Sequence, residues 1–126
     1  MVINFNPKYI PGDIVYNHKK EIIRITSSYL KGTKLFYYRD GEYGWIREDA
    51  IKPISLTPEI LKKNGWEKPD GFDSYWLNKI GLLQEGDTWH SALGSTKIAI
   101  TLGNILYVHE LQHLLFGLGL NSEMEV

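Results

Sequence analysis

The chain has no cysteine among its 126 residues. That excludes a disulfide framework, a thiolate metal site and a cysteine nucleophile. It also has almost no net charge, with 14 Lys and Arg against 15 Asp and Glu. A strongly basic surface is therefore missing, and nucleic acid is not an expected partner. Long hydrophobic runs are missing too. The apolar stretch from Leu114 to Leu118 is far shorter than the roughly 20 residues of a membrane-spanning helix. The first six residues carry no basic segment leading into an apolar one. No membrane contact and a cytoplasmic location are expected. No P-loop, no Ser-His-Asp order and no paired-carboxylate spacing stands out, and Gly117-Leu118-Gly119 ends a helix where a nucleotide-binding fingerprint would open one.

What the chain does have is aromatic bulk: 8 Tyr, 4 Trp and 4 Phe. Charge is also unevenly distributed. Counted along the sequence, residues 1–55 are net positive and residues 56–126 net negative. The change of pattern near Pro53 predicts two lobes, 1–55 and 56–126.

The first lobe reads as short strands. Ile14-Val15-Tyr16 follows a Gly12-Asp13 turn, and Glu21 to Leu30 is rich in Ile, Thr and Ser. Lys34 to Arg39 follows Gly32, and Asp40-Gly41 predicts a hairpin into Glu42 to Ile46. Arg47 to Ala50 reads as one helical turn, and Ile51 to Ile54 as a closing strand. Five short strands in one small lobe predict a barrel. The segment Gly44-Trp45-Ile46 through Ile54 resembles the end of SH3-like barrels. The acidic opening motif of peptide-binding SH3 domains is missing, so the resemblance implies shape and not proline-rich recognition.

The second lobe opens with Thr57 as N-cap, Pro58 at N1 and Glu59 in the first turn of a helix that Asn64-Gly65 stops. Strands are predicted at Tyr75 to Leu77, Ile80 to Leu83, a short one from Trp89, and Thr96 to Leu102. A second helix is expected over Ile105 to Leu118, capped by Asn104, with Val108, Leu111, Leu115 and Leu118 as its apolar stripe. The tail from Glu123 to Val126 alternates and predicts an edge strand able to pair in a homodimer. The expected fold class is α+β: an N-terminal SH3-like small β-barrel packed on a small α-β-β-β-α-β lobe.

Two segments carry a further resemblance. They are Leu56-Thr57-Pro58-Glu59-Ile60-Leu61 with Asn64-Gly65, and Tyr107-Val108-His109 with Leu111-Gln112-His113. Together they resemble an uncharacterised family of small proteins from Bacteroidales genomes and their phages and mobile elements. The resemblance implies provenance and no particular chemistry. It also implies that the position of Glu110 is often Gln.

His109-Glu110-Leu111-Gln112-His113 is a literal H-E-x-x-H on a predicted helix. Two His four apart share one helical face and can hold zinc, with Glu110 as general base. Few residues follow His113, and the extended form of the motif is missing because Phe116 stands where its glycine would be. A structural role for these residues is expected, with zinc hydrolysis through His109, Glu110 and His113 as an alternative. The binding candidates are Tyr37, Tyr43 and Trp45 on the barrel, where alternate positions share a face. Trp89 and His90 beside Gly86-Asp87 are a second group. The reading that follows is a non-enzymatic binding or adaptor protein with a protein partner and no cofactor. Capture of a small nucleotide-like ligand by aromatic stacking is the other binding alternative.

Overall fold

The computed structural model describes residues 8–41 and 44–126. The fold is α+β, mostly strand with two short helices. Two four-stranded antiparallel sheets lie either side of Pro53 in sequence.

The first sheet holds β1 (Ile14–Tyr16), β2 (Ile22–Lys31), β3 (Lys34–Arg39) and β4 (Trp45–Arg47), in that order. It curls as a half-barrel. Gly32, at φ 64°, turns β2 into β3, a conformation that favours glycine. The helical turn expected after β4 is a 3-10 turn at Glu48–Ala50. The expected closing strand over Ile51 to Ile54 is reduced to one bridge, where Lys52 and Tyr16 exchange both backbone bonds at 2.9 Å. Pro53 has no N–H with which to continue the ladder.

The second sheet holds β5 (Ser74–Leu77), β6 (Ile80–Glu85), β7 (Thr88–Gly94) and β8 (Ala99–Ile105). It is framed by α1 (Pro58–Lys63) and α2 (Val108–Gly117). The Thr57 hydroxyl accepts from the Ile60 N–H at 3.2 Å, so α1 starts where its cap was expected. α2 starts later than expected. Asn104 and Ile105 belong to β8, paired with His90 and Trp89. The N-cap is Tyr107. The expected short strand at Trp89 is seven residues long. The lobe therefore runs α-β-β-β-β-α, and the expected terminal strand is absent among the described residues. The Asn64 side chain holds the tail instead, donating to the Glu125 carbonyl at 2.7 Å and accepting its N–H at 2.8 Å. This anchoring seats Met124 in the core.

That core gathers Leu61, Trp66, Leu82, Trp89, Leu111 and Leu115 between α1, α2 and the inner face of the second sheet, and it includes Ile14 from β1. A smaller cluster of Tyr9, Val15, Ile25, Tyr37, Ile46 and Ile51 fills the half-barrel. The halves thus share hydrophobic contact through Ile14. No helix among the described residues is long and apolar enough to cross a membrane.

Candidate functional site

Strand register decides which aromatic rings of the first sheet face outward. Tyr37 pairs with Ile46 and Ser28, whereas Tyr38 pairs with Trp45, and Phe36 with Tyr29 and Arg47. Side chains alternate across a strand, so Tyr37 and Ile46 point into the half-barrel. Tyr29, Phe36, Tyr38 and Trp45 share the outer face. Trp45 is 47% exposed, Tyr29 44% and Tyr38 38%. Phe36 is buried beneath them, its ring centroid 3.9 Å from that of Trp45 and near-perpendicular to it. The Tyr29 ring stands 6.3 Å from Trp45. The Lys31 ammonium lies 5.9 Å from the centre of the Trp45 ring, within cation–π range. An open cavity of about 240 Å³ near the hairpin is lined by Thr33, Lys34, Leu35, Arg47, Glu48 and Asp49. Arg47 and Asp49, both in its lining, are paired at 2.8 Å.

Of the barrel residues expected to bind, Trp45 is on this face and Tyr37 is not. The Tyr37 ring is completely buried, its hydroxyl donating to Glu48 Oε2 at 2.7 Å. Burial, reinforced by that carboxylate, pushes its pKa up. Tyr43 lies outside the described residues. Tyr29 and Phe36 were missed by sequence reasoning. Their signal was available, because pairing Lys31 with Lys34 across Gly32 places Tyr29 opposite Phe36 two residues back.

Trp89 and His90 point to opposite faces of β7. Trp89 is sealed in the core, its indole N–H donating to the Leu56 carbonyl at 3.0 Å. His90 faces outward, with Nδ1 2.8 Å from Asn104 Oδ1 and Nε2 2.8 Å from Glu85 Oε2. The Glu85 hydrogen bond, followed by that from Asn104, raises its pKa. Trp76 lies over Gly81, where an added Cβ would come 2.6 Å from its ring.

The H-E-x-x-H residues lie on the other side of the second sheet from His90. His109 is buried, stacked parallel on Tyr107 and met edge-on by Tyr9 at 4.9 Å. Its Nδ1 has no hydrogen-bond partner among the described residues. Burial, then the neighbouring His113, lowers its pKa to about 4. Glu110 Oε1 accepts from the backbone N–H groups of Leu106 and Tyr107, each at 3.0 Å. It therefore supplies the reach-back half of a capping box. His113 Nε2 lies 2.7 Å from Asp13 Oδ2. Asp13 is buried, which raises its pKa against the lowering effects of the Ile10 N–H and His113. Between the two His stands buried Gln112, which accepts from the Ile14 N–H and donates to the carbonyls of Gly12 and Ser122. Asp13 and Gln112 are partners no sequence spacing announces, since about 100 residues separate them from what they bind. Among the described residues, no three His, Asp or Glu side chains gather in a metal-holding group.

No protein-family model, curated protein or solved structure matches the chain.

Proposed function

We propose that the protein is a non-enzymatic binding protein whose first sheet, read as an SH3-like barrel, engages a protein partner through the outer face of β2, β3 and β4. The observation that carries this reading is the cluster of Trp45, Tyr29 and Tyr38, all partly exposed and all on one side of the sheet. Large rings left in water on a single face are the composition of an interaction patch. Phe36 beneath Trp45 supports that ring from below, as a binding anchor requires. Lys31 and Lys34 at the hairpin end supply a polar, cationic margin.

The same rings would also stack on a small nucleotide-like ligand, and the two lysines favour that second reading. Zinc hydrolysis is the third. The bonds already made by Glu110 and His113 weigh against it.

The test places a photo-crosslinking residue at Lys34, identifies the protein it captures, and measures the affinity of that protein for purified variants. Trp45→Ala and Tyr29→Ala are expected to weaken binding by at least about 30-fold, the loss typical of an aromatic anchor. Their melting temperatures should stay near wild type. Unchanged affinity would place the interface elsewhere. A thermal shift with nucleotides that is lost in Trp45→Ala would favour the small-ligand reading. Stoichiometric zinc together with a hydrolytic activity abolished by Glu110→Gln would favour the third.

A further inference from the structure

The outer edge of β8 has no strand neighbour among the described residues. Every residue from Ile98 to Leu102 is exposed, with Ile98 at 80% and Ile100 at 68%. No Asp, Glu, Lys or Arg occurs from Ile98 to His109. The other edges are guarded. β1 is bridged by Lys52, β5 is bridged by Glu67 on both backbone bonds, and β4 is three residues long and ends on Arg47. Lysines, charges, short strands and β-bulges are the usual protections of an exposed edge, and from Ala99 to Thr101, ahead of the bulge at Leu102, β8 has none of them. Near its C-terminal end α2 flanks the strand, where Leu102 to Ile105 share a cavity with Glu110, His113 and Leu114. The Ala99 to Thr101 end projects free of this cover.

The geometry points to a second copy of this chain as the occupant of that edge. An open strand edge demands another strand, and the absence of charge selects an uncharged one. The pattern Ile98-Ala99-Ile100-Thr101-Leu102 is apolar at alternate positions and reads almost the same in both directions. Antiparallel pairing about a two-fold axis at Ile100 joins the two edges ahead of the bulge at Leu102. Ile100 meets Ile100, and Ala99 of each copy faces Thr101 of the other. That is an isologous, self-complementary contact, and it joins two four-stranded sheets into one of eight strands. A strand of this length covers on the order of half the ~800 Å² per partner of a stable interface. The dimer is therefore concentration-dependent. This contact is independent of the aromatic face of the first sheet.

Sedimentation velocity from micromolar to near-millimolar protein tests it. The wild type is expected to pass from monomer to dimer across that range. Ile100→Lys and Ile100→Glu each set like charges together at the two-fold axis and should remain monomeric. Mixed in equal amounts they should recover a dimer containing one of each, since Lys then faces Glu. Trp45→Ala should dimerise as wild type does. A wild type that stays monomeric throughout overturns the proposal, and so does dimerisation of Ile100→Glu alone or a mixture that fails to associate. Melting curves of the two variants, altered only at an exposed position, establish that they remain folded.

Discussion

His109 carries one face of a helix into the half-barrel cluster at the expense of an unpaired ring nitrogen. Its neighbours are the Tyr9 and Tyr107 rings, with His113, Glu110 and Lys8 as the charged or titratable groups acting on it. Its pKa is about 4 folded, against 6.5 for an ordinary histidine. Between those values the unfolded chain holds a proton that the folded chain does not. Stability is therefore full above the unfolded value and falls as pH drops toward the folded one. From pH 7 to pH 5 the loss from this residue is about 2 kcal/mol. Asp13 acts in the opposite sense, because its raised pKa lets the folded state take up a proton first as pH falls. Its offset enters from the acid end. His109→Phe keeps a planar ring in the aromatic setting and removes the orphan nitrogen. Urea midpoints of this variant are expected to fall less than those of wild type between pH 7 and 5. Equal slopes would assign the proton to another group.

α2 is where a motif that reads as catalysis is used as a helix start. Tyr107 offers no side-chain acceptor to the first turn, so Glu110 reaches back to two backbone N–H groups that would otherwise be unpaired. Glu110→Ala is expected to destabilise by about 1 kcal/mol, seen as a melting temperature lower by roughly 3–5 °C. Glu110→Gln, which keeps an acceptor oxygen, should lose only a few tenths of that energy. Equal losses in the two variants would show that charge, and not capping, is what the position supplies. The strands were legible wherever alternation or a glycine turn marked them, as at Ile14–Tyr16, Lys34–Arg39 and Ile80–Glu85. The start of α2 was not, because Asn104 is a good cap by type but is held in the β8 ladder opposite His90. The aromatic site was half legible. A shift of one residue exchanges faces, and the register irregularity between Ile25 and Ser27 obscures which of Tyr37 and Tyr38 points inward.

The two sheets belong to halves of opposite net charge, yet the joint between them is made by buried neutral groups and one His–Asp contact. Gln112, on α2 of the second half, closes bonds of 2.9 Å to the Ile14 N–H and the Gly12 carbonyl in the first. Its remaining bond, at 3.0 Å, holds Ser122 and so the start of the tail. His113 adds the contact to Asp13, the residue after Gly12, and Ile14 enters the second half's core directly. These contacts converge on the segment from Gly12 to Ile14, which is therefore expected to join the two halves into one cooperative unit. Gln112→Leu has a similar volume but leaves a buried donor and two acceptors without partners. The expected loss is about 3 kcal/mol, within the range for unsatisfied buried groups. Native-state hydrogen exchange separates a shared unit from two independent ones. The Ile25 amide, bonded to the Asp13 carbonyl at 2.9 Å, reports the first sheet. Amides in the central strands β6 and β7 report the second. In Gln112→Leu both sets are expected to lose protection by the same free energy. Loss confined to one sheet would mean that the halves unfold separately and that the joint serves only to orient them.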